Sequence, residues 1–133
     1  MNKKTFVLIG ALLSTVALAE ECPKISEVDR NIWRTATFEG DVSFDINKSG
    51  YKFTEVKLQN NSKNGSYAVD CFYKDLKKVS QPNYVKFTRR GEGSVSYTYE
   101  QYALPGEEPK DANNVIKTYP CIANRTACGF TIK

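Results

Sequence analysis

Four cysteines, Cys22, Cys71, Cys121 and Cys128, constrain this chain more than any other feature of its sequence. An even number of cysteines in an exported protein indicates a disulfide framework, which here would hold two bonds. Four cysteines allow three pairings. Only six residues separate Cys121 from Cys128, and Asn124 among them suits a turn. This spacing favours a bond across the end of a hairpin, which leaves Cys22 for Cys71, while the other two pairings stay open.

The first 19 residues have the pattern of a signal peptide. Lys3 and Lys4 precede an apolar stretch from Phe6 to Leu18, and Ala17-Leu18-Ala19 supplies the small residues that signal peptidase requires. We expect cleavage after Ala19 and an exported domain at 20–133, either periplasmic or secreted. Cleavage leaves 114 residues and lowers the net charge from +4 to +2. Because Cys22 does not directly follow the cleavage point, we expect no lipid anchor in the mature chain.

The absence of histidine excludes several classes of protein. A His-based catalytic triad, a His-ligated metal and a histidine pH switch all need that side chain. There is also no Cys-x-x-Cys pair for redox exchange or tight metal chelation. Hydrophobic residues make up 41% of the chain and aromatic residues 12%, which argues against intrinsic disorder. The sequence therefore predicts one disulfide-stabilised globular domain with no metal and no cofactor.

The hydrophobic pattern predicts one helix followed by strands. Apolar residues between Pro23 and Arg34 recur near the helical period, which predicts an amphipathic helix. After Gly40 the period changes to two, and a change of phase between Phe53 and Val56 predicts a bulge. The strand-like runs are 41–47, 51–59, 66–73, 84–89, 95–103, 115–121 and 127–132. We expect an α+β fold with the N-terminal helix packed on a meandering antiparallel β-sheet of about six or seven strands, the alternative being a small β-barrel.

Three short motifs resemble those of a known family. They are Cys22-Pro23 before an apolar segment, Asp70-Cys71-Phe72-Tyr73-Lys74-Asp75 in the middle, and Cys121-x6-Cys128-Gly129-Phe130 near the end. In this order they resemble a family of small secreted gammaproteobacterial proteins of unknown function. That family has a Cys-Pro start, a central Cys-aromatic-Tyr strand and a terminal Cys-x-Phe. The resemblance implies export, paired cysteines and a domain of this kind, and it implies no activity.

Without histidine, the hydrolytic device that the sequence leaves plausible is a pair of carboxylates of the glycosidase kind, one protonated and one ionised. The candidate acids are Glu55, Asp70, Glu100, Glu107 and Glu108. No spacing distinguishes a pair among them. Asp70 lies within an apolar run, but alternation places it opposite Val69 and Cys71, which favours a strand residue that points to solvent. A small secreted hydrolase is therefore the alternative function, and the sequence favours recognition over catalysis.

Tyrosines beside the Pro/Gly-rich loop 104–114 are the stronger binding candidates. Tyr97 and Tyr99 share one face of their predicted strand, and Tyr102 lies on the other face. Exposed aromatic side chains on a rigid sheet bind sugars or proteins, although burial of Tyr97 and Tyr99 in the core is the simpler interpretation. A mature net charge of +2 gives little support to nucleic-acid binding. We expect a non-enzymatic, inhibitor-like module that binds a protein or cell-wall glycan through Tyr97, Tyr99, Tyr102, Glu107 or Glu108.

Overall fold

In a computed structural model the chain forms two antiparallel sheets. The structure describes residues 19–28, 34–41, 50–75, 84–106 and 116–133. The strands are β1 (Ala19–Glu20), β2 (Glu39–Gly40), β3 (Tyr51–Asn61), β4 (Ser66–Asp75), β5 (Tyr84–Glu92), β6 (Val95–Tyr97), β7 (Ile116–Cys121) and β8 (Phe130–Ile132). The large sheet has the order β2-β5-β4-β3-β7, and the small sheet has the order β1-β8-β6. Antiparallel strands were predicted, and the sheets confirm them.

The strands β3, β4 and β5 form the centre of the large sheet. Buried and more exposed residues alternate over the second half of β3 and the first half of β5, as expected for strands with one face on a core, whereas the central strand β4 is buried from Tyr67 to Cys71. A tight turn joins β3 to β4, and Gly65 in that turn has a φ of 64°, which glycine adopts without steric cost. The register between β3 and β4 shifts between Phe53 and Glu55. This shift confirms the bulge that the change of phase predicted.

A single core joins the inner face of the large sheet to the small sheet. Tyr73 of β4 lies near its centre, with its ring edge-to-face against Phe87 at 5.6 Å and against Phe53 at 5.9 Å. Phe130 of β8 is completely buried and contacts Phe38 from the segment before β2. The two sheets therefore share their apolar side chains, and each stabilises the other.

Both disulfides lie within this core. One joins Cys22 of the N-terminal segment to Cys71 of β4, and the other joins Cys121 at the end of β7 to Cys128 just before β8. No cysteine is more than 1% exposed. These are the pairs that the short spacing of Cys121 and Cys128 favoured.

The predicted N-terminal helix is wrong. The chain forms one 3-10 turn at Ile25–Glu27, and Val28 then has an extended backbone with φ −75° and ψ 128°. The disulfide at Cys22 and a hydrogen bond from the Tyr73 hydroxyl to the carbonyl of Pro23 hold this segment against β4. Val28 reaches the core from this position. An apolar spacing of three residues suits a single 3-10 turn as well as an α-helix.

The α+β expectation is therefore corrected to an almost all-β fold. Of the described residues, 55% lie in strands and 8% in helical turns, and no described helix has seven residues. The described strands form two sheets rather than one meander or one closed barrel. Most of the predicted strand 41–47, and residues 29–33 of the predicted helix, lie outside the described residues.

The two ends of the described chain meet in the small sheet. Glu20 of β1 pairs in register with Phe130 of β8, and the Glu20 carboxylate accepts a hydrogen bond from the guanidinium of Arg89. Arg125 lies 3.3 Å from the carboxylate of Glu21 and donates to the carbonyl of Cys22 at 2.8 Å. The N-terminal segment is thus tied to both β5 and the loop between β7 and β8.

Candidate functional site

A turn with two exposed tyrosines follows β6. The strand ends at Tyr97, and the backbone N–H of Thr98 donates to the carbonyl of Gly129 at 2.9 Å. The chain then forms a 3-10 turn at Glu100–Tyr102. The strand predicted for 95–103 is therefore wrong after Tyr97. We refer to residues 98–104 as the aromatic turn.

The aromatic turn has two faces, because residues three apart in a 3-10 helix are nearly eclipsed. Tyr99 and Tyr102 share one face, where they are 46% and 44% exposed. Their ring centroids lie 6.4 Å apart and their planes meet at 81°, an edge-to-face pair. Glu100 and Ala103 share the other face, which lines a pocket. The turn thus presents an aromatic surface on one side and closes a pocket on the other.

Both ends of the aromatic turn are hydrogen-bonded to the segments around the Cys121–Cys128 disulfide. Thr98 bonds to Gly129, and the N–H of Leu104 donates to the carbonyl of Pro120 at 2.9 Å. The loop between the two cysteines is itself ordered by Asn124, whose side chain accepts from the N–H of Ala127 at 2.8 Å. Because the disulfide limits the movement of both anchoring segments, the tyrosine pair is presented on a rigid base.

Exposed aliphatic side chains lie on the same two segments. Leu104 is 39% exposed at the end of the aromatic turn, and Ile122 is 64% exposed next to Cys121. Single exposed apolar residues are common and need no explanation. Here one lies on the aromatic turn itself, and the other lies on the disulfide loop that follows Pro120, to which the turn is hydrogen-bonded.

The pocket behind the aromatic turn has a volume of about 290 Å³. It lies between the turn and strands β3, β6 and β7, and its lining residues are Leu58, Asn60, Val95, Ser96, Tyr97, Glu100, Ala103 and Tyr119. Most of its surface is apolar. A pocket of this size is at the lower end of the range for small-molecule sites. It therefore has room for one side chain or a similarly small ligand.

Tyr97 forms a wall of this pocket and is not an exposed binding group. It is 7% exposed, and its hydroxyl lies 3.2 Å from the carbonyl of Val56 and donates to the carbonyl of Tyr119. Burial raises the pKa of Tyr97 above the ordinary tyrosine value. The structure therefore separates Tyr97 from Tyr99 and Tyr102, which the predicted strand had placed on a common sheet.

The side chain of Asn60 holds β6 in position. Its amide nitrogen donates to the carbonyl of Val95 at 2.8 Å, and its amide oxygen accepts from the N–H of the same residue at 2.8 Å. This amide occupies the backbone groups of Val95 that another strand could otherwise use.

Sequence reasoning missed Asn60 and Tyr119 as parts of the site, because they lie on strands far from the aromatic turn in sequence. The three-residue spacing of Tyr99 and Tyr102 was the available signal for the tyrosine pair.

The candidate acids are spread over the molecule. Glu100 lies on the aromatic turn, whereas Glu107 and Glu108 lie outside the described residues. Glu55 and Asp70 are diagonal neighbours on the outer face of the large sheet, since Glu55 pairs with Phe72. Diagonal neighbours have side chains about 7–8 Å apart. These two are the candidate acids that the described sheet brings together.

Asp70 is less exposed than a strand residue that points to solvent. It lies on the outer face, as alternation predicted, but it is only 8% exposed and accepts a hydrogen bond from Thr88 at 2.7 Å. Lys57 is its register partner on β3 and places its ammonium 5.6 Å from the ring centroid of Phe72. Asp70 thus lies between strand neighbours with long side chains, and the hydrogen bond from Thr88 joins β4 to β5.

A second depression, of about 470 Å³, lies along the edge formed by β2 and β5. Cationic Lys86 and Arg90 line it together with anionic Glu39 and Asp41. Arg89 also reaches it but is paired with Glu20. Because the charges are mixed, this depression favours no class of ligand.

Comparison with known proteins finds no matching family model, no matching curated protein and no matching solved structure. Within the described ranges, no helix is long and apolar enough to cross a membrane, and no group of three or more potential metal-ligating side chains occurs. The two disulfides are compatible with an extracellular or oxidising compartment. The fold and the site define a small disulfide-bonded β domain that carries a rigid aromatic turn.

Proposed function

We propose that this protein is an exported, non-enzymatic binding module and that the aromatic turn is its contact surface. The observation that carries the proposal is the exposed pair of Tyr99 and Tyr102 on a turn that is hydrogen-bonded at both ends. Rigid aromatic side chains lose little conformational entropy on binding and contribute much contact area. The signal-peptide pattern and two buried disulfides support export. We also propose kinship with the small secreted bacterial proteins that its motifs resemble.

A protein partner is favoured over a cell-wall glycan. Leu104 on the turn and Ile122 on the disulfide loop add exposed aliphatic side chains, which contribute apolar contact and no hydrogen bonds. Protein interfaces bury such apolar groups at their centres, whereas sugars present many hydroxyls that need polar partners. An inhibitor that covers a site on a hydrolase is one concrete form of this function.

The test is capture of a partner by oxidised mature protein from periplasmic and host-cell extracts. Tyr99 and Tyr102 are replaced together by alanine, and Tyr84→Ala is the matched control, because Tyr84 is 43% exposed on β5. We expect the double variant to bind the captured partner at least about 30-fold more weakly, the effect of losing an interface hot spot. The control should bind as the wild type does.

Two results would overturn this proposal. Unchanged binding by the double variant would exclude the aromatic turn as the contact surface. Turnover of a defined glycan by the purified wild type, abolished by Glu55→Gln or Asp70→Asn, would support the hydrolase alternative, which needs two carboxylates on one face.

A further inference from the structure

We propose that the pocket behind the aromatic turn is an anchor site for one lysine or arginine side chain of a partner polypeptide. This inference rests on the proposed binding function and specifies the partner's chemistry. It assigns different roles to the two faces of the turn. Tyr99 and Tyr102 would contact the partner's surface, while the face with Glu100 and Ala103 would receive a side chain.

The shape and lining of the pocket suit a long, unbranched apolar stem. Leu58, Val95 and Ala103 are the aliphatic residues of the lining, and Tyr97 and Tyr119 are the aromatic ones. At about 290 Å³, the pocket accommodates a single side chain. Lysine and arginine bury their methylene groups along apolar surface and keep the charged end near water. Aromatic walls also attract a cation that approaches their faces.

The polar groups of the pocket select a cation at its open end. The amide of Asn60 is already bonded to Val95 through both its nitrogen and its oxygen, and the hydroxyl of Tyr97 is bonded to backbone carbonyls. The hydroxyls of Ser96 and Tyr119 are neutral, and among the described residues that line the pocket Glu100, which is exposed, carries the charge. Its carboxylate would form a charge-assisted hydrogen bond with an ammonium or guanidinium group, and it would repel an anion.

The position of the pocket favours a polypeptide as the source of that cation. Glu100 and Ala103 alternate with Tyr99 and Tyr102 along a single turn. A partner that rests on the tyrosine pair is therefore within one side-chain length of the pocket mouth. A protein can supply apolar contact for the tyrosines together with a cation on an aliphatic stem.

The experiment compares two probes by two-dimensional amide NMR of the oxidised mature protein. One probe is N-acetyl-lysine methylamide, and the other is its uncharged analogue of similar shape, N-acetyl-norleucine methylamide. We expect the lysine probe to shift the backbone signals of Val95 and Ala103 and the side-chain amide signal of Asn60. We expect it to bind about three- to fivefold more tightly than the norleucine probe, the effect of a solvent-exposed ion pair. Added salt should reduce this preference.

Glu100→Gln should abolish the preference for lysine and leave the signals of the fold unchanged, because Glu100 is exposed. Glu92→Gln is the matched control, since Glu92 is also exposed but lies at the end of β5. Ala103→Leu should fill the pocket and weaken both probes. The anchor site would be overturned by equal binding of the two probes, by signal shifts located elsewhere, or by no shift at the highest soluble concentration. Tighter binding of glucosamine than of the lysine probe would also overturn it.

The outcomes separate this inference from the proposed function. If the variant lacking Tyr99 and Tyr102 no longer captures the partner, but the pocket shows no preference for lysine, the anchor site alone is overturned. If the pocket prefers lysine but capture of the partner does not depend on the tyrosine pair, the proposed contact surface is overturned.

Discussion

The two disulfides close loops of very different length, and this difference predicts their contributions to stability. Cys22 and Cys71 are 49 residues apart, whereas Cys121 and Cys128 are 7 apart. The loop-entropy relation then gives about 4.1 kcal/mol for the long loop and about 2.4 kcal/mol for the short one. Replacing each pair by alanines should therefore lower the free energy of unfolding by amounts that differ by about 1.7 kcal/mol. All four cysteines are at most 1% exposed, so the cavities left by the missing sulfurs should cost similar amounts.

Urea unfolding of the oxidised proteins, followed by circular dichroism, measures these losses by linear extrapolation. The total stability of a domain is about 5–15 kcal/mol, so the variant without the Cys22–Cys71 bond should be close to unfolding at moderate urea concentrations. The variant without the Cys121–Cys128 bond should retain a clear transition. Equal losses, or a larger loss for the short loop, would refute the argument from loop entropy.

Four further predictions concern buried tyrosines and one glycine. Burial raises the pKa of Tyr73 and of Tyr97 above the ordinary tyrosine value of about 10. The contribution of these neutral side chains to stability is therefore complete below a pH of about 10, and it is lost as the pH rises through the raised pKa values. Ultraviolet titration should therefore show a group of tyrosines that ionises only on unfolding, and ionisation of every tyrosine in the folded protein would contradict this. Tyr73→Phe removes a buried hydrogen bond and should cost about 1–3 kcal/mol in urea unfolding. Tyr51→Phe should change stability by less than about 0.5 kcal/mol, because the Tyr51 hydroxyl has no hydrogen-bond partner in the described part of the chain. Equal effects of the two substitutions would show that the bond contributes nothing. Gly93→Ala should lower the free energy of unfolding by at least about 2 kcal/mol. Gly93 has a φ of 113°, and an added Cβ would lie 2.1 Å from the carbonyl oxygen of Lys133. Wild-type stability of this variant would contradict the described turn.

Local patterning predicted the strands of the large sheet because the period of two is a property of the strand itself. The phase change between Phe53 and Val56 was visible in the sequence, since a bulge moves every later side chain to the opposite face. The helix was wrong because Ile25 and Val28 have a spacing that a single 3-10 turn also satisfies. The segment is also held by the bond from Cys22 to a residue 49 positions away, and local periodicity carries no information about that bond.

The candidate site was partly predictable for the same reason. Tyr99 and Tyr102 were identified from their side-chain chemistry, but their position side by side depends on where β6 ends. The strand ends where the N–H of Gly129 donates to the carbonyl of Thr126 at 3.1 Å instead of to β6, and no pattern around Tyr97 indicates this contact. The burial of Asp70 likewise depends on side chains from both neighbouring strands, so alternation predicted its face and not its exposure.

The small sheet determines the order in which the domain can be completed. Its central strand, β8, consists of nearly the last residues of the chain, and it supplies the pairing edges for both β1 and β6. Neither neighbour can pair natively until Phe130 is available. A chain that crosses a membrane with its N-terminus first would therefore keep Glu20 unpaired until Phe130 has crossed. Loss of residues 130–133 would remove the strand that joins β1 to β6, so the small sheet depends on this one short segment.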